Sequence, residues 1–276
     1  MKNRAGRRFK LCSSVRRSTW HFQSDRELRA SNSVGKPVVL KRQTPVITDP
    51  SRELVLDAHW ARALSPELRQ QVLAESSVRV VSAGSFVCRK GDPAEHWIGI
   101  ISGLVKVSSV SPEGKATTFI GVPSGGWFGE GTLLKNEPWP YDAVALRSSV
   151  VANVPRRTFF TLLERSVGFN RFLLVQLNER LGQFVAMVEH DRFLGPDARL
   201  AAELAALFNP VLYPGTQLTL LISQEELGQL VGLSRGRVNR ALHRLESNGL
   251  LDIDYGGITV KDVEKLRRYA RSGNAS

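Results

Sequence analysis

The spacing of hydrophobic residues along the chain changes character twice. A short helix is predicted over Pro66–Glu75, and from about Ser77 short apolar runs follow one another, separated by glycines at 84, 91, 103 and 114. Apolar and polar residues alternate over Ile98–Val107, which is the period of a half-buried strand, and further strands are predicted over Ala143–Val154. Short strands at regular spacing predict a small antiparallel β-barrel or jelly roll.

Beyond Pro155 the period becomes helical. Apolar residues three and four positions apart form one stripe with polar flanks: Leu174, Leu177, Leu181, Phe184 and Val188. Such a stripe is buried either against the chain's own barrel or against the same helix of a second copy. We favour the second arrangement and predict a dimerisation helix over residues 167–194.

The segment Ile222–Leu251 predicts two short helices joined by a tight turn. Ser223 stands at an N-cap position, and Glu226 three residues later completes a capping-box pattern. Gly232 is expected to end the first helix and Ser234 to cap the second.

The second helix, Ser234–Ser247, has an apolar face and a basic face. The apolar residues at helical spacing are Val238, Ala241, Leu242 and Leu245, and the outward residues are Arg237, Arg240, His243 and Arg244. A solvated cationic face would account for the arginines alone, but a capped helix pair with outward guanidinium groups is what a major-groove reader requires. Asp252–Val260 predicts a hairpin with a Gly256-Gly257 turn, so the unit indicates a winged helix-turn-helix that binds double-stranded DNA. A homodimer would present two such units with two-fold symmetry, which favours pairing of the long helix with its copy through the apolar stripe.

Charge is distributed unevenly along the 276 residues, whose formal net charge is +12. Residues 1–50 hold 12 Lys and Arg against 3 Asp and Glu, while the rest of the chain is only +3. This basic arm would add salt-dependent contacts with phosphates. It would equally fit a disordered extension, or a start codon assigned too early.

With 42% hydrophobic residues, the chain is long enough for two domains with separate cores. Its two cysteines, Cys12 and Cys88, are too few for a disulfide framework or an iron–sulfur cluster. The sequence contains no apolar run long enough for a signal peptide or a membrane span. We therefore expect a cytoplasmic protein with no membrane partner.

The order of barrel, long helix and winged helix-turn-helix resembles the Crp/Fnr family of bacterial transcription regulators, over roughly residues 55–270. Gly84, Lys90-Gly91-Asp92 and the run Ser102–Val107 resemble the family's effector-domain glycine signature, and Ser223–Leu251 resembles its helix-turn-helix. The resemblance implies an α+β fold. It places a cyclic-nucleotide-binding-like barrel at residues 55–166, the dimerisation helix next, and the winged helix-turn-helix at residues 195–270.

The phosphate-binding cassette of the family is matched at its first element. In members that bind cyclic AMP, a glutamate contacts the ribose hydroxyl, and an arginine about ten residues later binds the cyclic phosphate. The run Trp127-Phe128-Gly129-Glu130 resembles the start of this cassette, so Phe128, Gly129 and Glu130 are implied to line the effector pocket. A helix that begins near Gly129 would also direct backbone N–H groups at an anion.

The second element of the cassette is missing. The arginine position falls on Pro140 or Tyr141, depending on the alignment, and Asp142 next to it would repel a phosphate. Losing a charge-assisted phosphate contact costs on the order of 2 kcal/mol, so the sequence predicts that cyclic AMP is not tightly bound. No cofactor is certain. Trp127, Trp139 and Tyr141 would line a pocket for another small ligand, or would fill the barrel core.

The reading helix departs from the family pattern at one position. Members that recognise a TGTGA-like half-site carry Arg, Glu and Arg, of which Arg235 and Arg240 match the two arginines that clamp guanine edges. Gly236 stands at the glutamate position and cannot accept a hydrogen bond from cytosine, which makes Arg237 and Asn239 the candidates to replace it. The first helix is implied to hold the phosphate backbone. The candidate DNA-binding residues are Ser223, Gln224, Ser234, Arg235, Gly236, Arg237, Asn239, Arg240 and Arg244.

Two other functions stay open. A constitutive DNA-binding regulator, whose barrel only scaffolds the dimer and which contacts RNA polymerase, fits the missing cassette arginine. A barrel enzyme acting on a nucleotide is a remote alternative, because the five histidines are scattered without metal-ligand spacing and no Walker or nucleophile-elbow motif occurs. We predict a ligand-modulated regulator with neither catalytic residues nor a metal site.

Overall fold

The computed structural model describes residues 50–111, 114, 116–254 and 256–272. Residues 1–49 of the predicted arm at residues 1–50, including Cys12, lie outside the described residues. After two 3-10 turns, Pro50–Val55 and His59–Ala63, the helices are α1 Pro66–Glu75, α2 Glu130–Lys135, α3 Arg156–Arg165, α4 Val167–Phe193, α5 Pro196–Ala206, α6 Gln224–Val231, α7 Arg235–Ser247 and α8 Val263–Ser272. The strands are β1 Ser77–Val81, β2 Phe86–Cys88, β3 His96–Ser102, β4 Leu104–Val110, β5 Ala116–Pro123, β6 Trp127–Phe128, β7 Asp142–Ala145, β8 Ser149–Pro155, β9 Thr219–Leu220, β10 Leu251–Asp254 and β11 Gly257–Val260.

Strands β1 to β8 form two four-stranded antiparallel sheets, in the orders β1-β8-β3-β6 and β2-β7-β4-β5. Gly103 turns the chain between β3 and β4 at a φ of 110°, a left-handed conformation that favours glycine. Side-chain atoms of Ser149 lie so close that a Cβ at Gly103 would collide with them. This architecture confirms the predicted antiparallel jelly roll. The two-residue strands β6 and β9 are too short to produce a hydrophobic period, and the sequence did not predict them.

Aromatic side chains fill the interior of the barrel. The ring centroids of Trp97 and Trp127 lie 4.3 Å apart, and Trp60 lies 5.1 Å from Trp97 and 5.2 Å from Trp127. Phe159 of α3 and Phe169 of α4 complete this cluster, which is fully buried. Helices α3 and α4 are therefore attached to the barrel by the aromatic core.

Helix α4 buries one side against the barrel and exposes the other. Leu173 is buried in the barrel core and Leu177 packs against that core, whereas Leu174 and Leu181 remain 69% and 62% exposed. Leu177, a member of the predicted stripe, is therefore partly covered by the barrel, and its place in a dimer interface stays a prediction. Four exposed apolar residues of α4 form what we call the exposed seam: Leu174, Leu181, Val185 and Val188. Phe184, also predicted, lies at its margin and is 36% exposed.

The C-terminal part builds a second hydrophobic core from α5, α6, α7, α8 and the sheet β10-β11-β9. The predicted hairpin is present, but Gly257 already pairs with Asp254. The turn therefore ends before Gly257, and Gly256 takes the left-handed conformation with a φ of 83°. Within the described residues, no helix has both the length and the apolar composition needed to cross a membrane.

Candidate functional site

Helix α7 separates buried and exposed faces as the sequence predicts. The buried side chains are Val238, Ala241, Leu242 and Leu245, and the exposed residues are Arg235, Gly236, Arg237, Arg240, His243 and Arg244. Within the described part of the chain, no hydrogen bond or ion pair engages the guanidinium groups of Arg235, Arg237 and Arg240. These three cations are available to an external partner, and their contact with DNA stays a prediction.

The two predicted N-caps behave differently. The Ser223 hydroxyl accepts a hydrogen bond from the Glu226 amide at 3.2 Å, and the Glu226 carboxylate accepts one from the Ser223 amide at 2.6 Å, which confirms the capping box of α6. Ser234 occupies the N-cap position of α7, but among the described residues its hydroxyl accepts no capping hydrogen bond. The predicted N-cap position of Ser234 is therefore confirmed, although within the described residues no side-chain hydrogen bond accompanies it.

Three other candidate DNA-binding residues already have partners on neighbouring helices. The Gln224 amide donates to Asn239 Oδ1 at 3.2 Å, so α6 and α7 are tied together at their outer edge. Arg244 forms an ion pair with Asp197 of α5. We therefore expect Arg244 to contribute less to base recognition than Arg240.

The cassette turn is tightly packed. Gly129 has a φ of 99°, and a Cβ at this position would lie 2.5 Å from the Trp139 ring, so only glycine fits. The Glu130 side chain is only 4% exposed, and its Oε2 accepts a hydrogen bond from the Trp97 indole at 3.4 Å. The predicted helix near Gly129 is present as α2.

The aromatic residues near the cassette pack against each other and the barrel. Trp127 and Trp139 are buried in the barrel core, and the half-buried Tyr141 ring lies 5.7 Å from Trp139. This arrangement favours the core-filling alternative for the two tryptophans. Burial raises the pKa of the Tyr141 phenol, and the neighbouring Glu130 carboxylate raises it further, so the phenol is neutral at physiological pH.

Asp142 faces a backbone amide. Its Oδ1 accepts a hydrogen bond from the Lys90 amide at 2.8 Å, which ties β7 to the turn between β2 and β3. One oxygen of Asp142 is therefore committed to the turn, and its predicted place in an effector pocket stays a prediction.

Comparison with known proteins decides the family. A cyclic nucleotide-binding domain model matches residues 78–166, and a Crp-like helix-turn-helix domain model matches residues 198–269. The chain belongs to the Crp/Fnr family of transcription regulators. As a member of this family with a Crp-like helix-turn-helix domain, it is a DNA-binding transcription regulator.

Several Crp/Fnr relatives align with most of the chain. It is 26% identical over 191 residues to the CRP-like cAMP-activated global transcriptional regulator of Mycobacterium tuberculosis, covering 68% of this chain and 85% of the relative. It is 26% identical over 194 residues to the transcriptional activator protein anr of Pseudomonas aeruginosa, covering 68% and 78%. The solved structure of FixK2 from Bradyrhizobium japonicum has the same fold, with a TM-score of 0.57, 19% identity, and coverage of 70% of this chain and 96% of that one. The first relative is named for activation by cAMP and the second names no ligand, so membership in the family leaves the ligand unassigned.

Sequence reasoning missed Arg180, which it counted only among the polar flanks of the apolar stripe. Its guanidinium donates to the Trp127 carbonyl at 2.8 Å and to the Tyr213 hydroxyl at 2.9 Å, and its side chain is almost fully buried. Gln176, one helical turn earlier, donates to the same carbonyl at 3.3 Å. The spacing of four residues between Gln176 and Arg180 was the available signal, because such residues share one face of a helix.

The charge of Arg180 is maintained by its surroundings. Burial works against the charged form, but the neighbouring Tyr213 and Glu130 outweigh it and raise the pKa of the guanidinium above its ordinary value. A buried cation therefore approaches the cassette from α4, although the cassette itself lacks the arginine of the family pattern.

Proposed function

We propose that the chain acts as a homodimer that reads a two-fold symmetric DNA site, with one α7 helix for each half-site. The outward face of α7 carries this proposal, because Arg235, Arg237 and Arg240 are exposed above a fully buried inner face. Forked guanidinium groups match the O6 and N7 acceptors of guanine in the major groove. The half-sites are expected to lie about one helical turn of DNA apart, roughly 34–36 Å.

The exposed seam supports the homodimer. Leu174, Leu181, Val185 and Val188 recur along one face of α4 and are left uncovered by the barrel. Pairing of this face with its copy would bury them and would place the two reading helices symmetrically. We retain the functional division predicted from the sequence: an effector barrel at residues 55–166, a dimerisation helix at 167–194 and a DNA-binding unit at 195–270.

The test of DNA reading is an Arg240→Ala substitution in the full chain. The preferred duplex is first selected from a randomised pool by the wild-type protein, and affinities are then measured for that duplex and for random DNA. The variant should lose about 1–3 kcal/mol on the selected duplex and little on random DNA, because a lost guanine contact affects only the specific complex.

Arg244→Ala is the matched control. It removes the same charge from the same helix, but Arg244 already pairs with Asp197. Its effect should be small and equal on both duplexes. If Arg240→Ala lowers the affinity for both duplexes equally, Arg240 contacts only the phosphate backbone of DNA and does not read a base. Failure of the wild-type protein to enrich any duplex would refute the proposed function.

We propose further that a small ligand other than tightly bound cyclic AMP modulates the protein through the barrel. The second candidate is a constitutive regulator whose barrel binds nothing, and the packing at the cassette favours it. Trp127 and Trp139 occupy the core, and the Trp139 ring lies against Gly129 at the start of the cassette helix. In a constitutive regulator the DNA affinity would be independent of any added nucleotide.

A further inference from the structure

The barrel contacts the first helix of the helix-turn-helix through a bidentate ion pair. Arg147 lies in the loop between β7 and β8. Its Nε and Nη2 lie 3.2 and 3.0 Å from Glu226 Oε1, and Nη2 lies 2.9 Å from Oε2. Glu226 is also the capping-box residue of α6, where its Oε2 accepts the Ser223 amide. One carboxylate therefore both caps α6 and binds the barrel.

The surroundings of this pair keep it charged. Burial tends to raise the pKa of Glu226, but the hydrogen bonds from Arg147 and Ser223 outweigh it and lower the pKa below its ordinary value. Both side chains are partly shielded from water, with 27% of Arg147 and 14% of Glu226 exposed. A bidentate pair in such surroundings restricts orientation more strongly than a surface ion pair does.

The barrel also contacts α6 through its strands β4 and β5. The Thr118 hydroxyl donates to the Gln229 carbonyl at 2.6 Å, and Lys106 Nζ donates to the Gln229 side chain at 3.4 Å. The backbone of Gly121, on the same strand as Thr118, also approaches the C-terminal core closely. A Cβ there would lie 3.0 Å from Leu207 and 3.2 Å from Leu230. The barrel and α6 thus meet in a small interface with an apolar centre and polar edges.

This interface leaves the reading face free. Arg235, Arg237 and Arg240 are exposed while Arg147 holds Glu226. The contact therefore does not hide the proposed DNA-binding surface, but it does fix how that surface is oriented relative to the barrel and to α4. Strand β7 leads directly from the cassette segment to the loop of Arg147, so the orientation is connected to the cassette by one short strand.

We infer that Arg147 is a positioning residue for DNA binding. Through Glu226 it fixes the orientation of α6 and α7 on the barrel, so that both reading helices of a dimer reach a symmetric site together. The inference rests on the proposed function, because the dimer and the symmetric site belong to that proposal. A loosened helix-turn-helix would still bind one half-site, but it would lose much of the gain from binding two at once.

The experiment compares two duplexes: the selected symmetric site, and the same site with one half scrambled. Arg147→Ala in the full chain should bind the symmetric duplex about tenfold more weakly, because the effective concentration of the second reading helix falls. Its binding to the single half-site should change less than twofold. Glu226→Gln should act in the same direction while preserving the capping pattern, because Gln also serves at this position of a capping box. The double variant should be no weaker than Arg147→Ala alone.

Two further variants separate orientation from charge and stability. Arg157→Ala removes the same charge and also breaks an ion pair, but its partner Glu75 belongs to the barrel side, so the ratio of symmetric-site to half-site affinity should not change. Gly121→Val leaves every charge in place and pushes Leu207 and Leu230 away, so it should lower that ratio as Arg147→Ala does. Thermal unfolding of each variant identifies any that fails to fold.

The possible outcomes are distinct. Equal losses on both duplexes would make Arg147 an ordinary phosphate contact, and tighter binding by Arg147→Ala would make the ion pair inhibitory; either result overturns the inference. If the wild-type protein binds both duplexes equally, or enriches none, the proposed dimeric function fails and the inference fails with it. A selective loss on the symmetric duplex for Arg147→Ala and Gly121→Val, but not for Arg157→Ala, supports it.

Discussion

Gly236 occupies the outer face of α7 next to Arg235, where family members that read a TGTGA-like half-site carry glutamate. It is exposed, and a Cβ at this position would meet no atom within 4 Å. The fold therefore does not require glycine here, and glycine within a helix costs roughly 0.5–1 kcal/mol relative to alanine. Under the proposed function, the missing side chain of Gly236 leaves no acceptor for cytosine at this position.

Gly236→Glu should restore that acceptor without disturbing the fold. A glutamate can accept from the cytosine N4 amino group, and a good base contact discriminates by about 1–3 kcal/mol. We expect the variant to prefer cytosine at one base pair of each half-site where the wild type shows weaker selectivity. Binding to duplexes varied at every position of the selected site would measure this. Gly236→Ala is the control, and an equal gain in selectivity for alanine would exclude the cytosine contact.

Helix α4 shows how a heptad pattern can predict an element correctly and its contacts only in part. A straight helix has 3.6 residues per turn and drifts by about 20° in each heptad, so residues chosen by alternating threes and fours spread over a wide arc. The barrel covers one edge of that arc at Leu177 and leaves Leu174 and Leu181 exposed. The sequence alone does not say which edge is covered, because that depends on the barrel's shape.

Leu181→Asp should weaken the proposed dimer while leaving the protomer folded, because Leu181 is already mostly exposed in the single chain. Burying a leucine contributes about 1.5–3 kcal/mol, and the substitution removes this from both copies while adding two like charges. Sedimentation equilibrium should show a shift towards monomer, with a parallel loss of symmetric-site binding.

Val175→Asp provides the matched control for Leu181→Asp. Val175 is also exposed on α4 but lies off the exposed seam, so its substitution should leave the oligomeric state unchanged. An unchanged sedimentation profile for Leu181→Asp would place any dimer contact elsewhere.

For the whole molecule, the order of the parts could be predicted because it depends on local signals. Alternating residues, capping serines and the turn at Gly232 each occupy a few neighbouring positions. The contacts that join the parts could not be predicted, since Arg147 and Glu226 are 79 positions apart and Arg180 and Trp127 are 53 apart. The four-residue spacing of Gln176 and Arg180 can place both on one helix face, but no single-sequence pattern identifies a partner so far away. The candidate DNA surface was therefore largely predictable, whereas the contact of Arg180 with the Trp127 carbonyl and the interface between the barrel and α6 were not.

At the scale of the whole molecule, we expect no response to cyclic AMP. Calorimetric titration of the full chain should give no binding heat, and the affinity for the selected duplex should be unchanged by the nucleotide. The reasons are that the position of the family's cation falls on Pro140 or on Tyr141, whose phenol is neutral, and that Trp139 lies against Gly129. Micromolar binding that tightens the DNA complex would contradict this. In that case Arg180, whose charge interacts with Glu130, would be the candidate to hold the cyclic phosphate, and Arg180→Met should abolish the heat. If the titration gives no heat, other nucleotides can be tested in the same way, and an unchanged DNA affinity with all of them would favour the constitutive regulator.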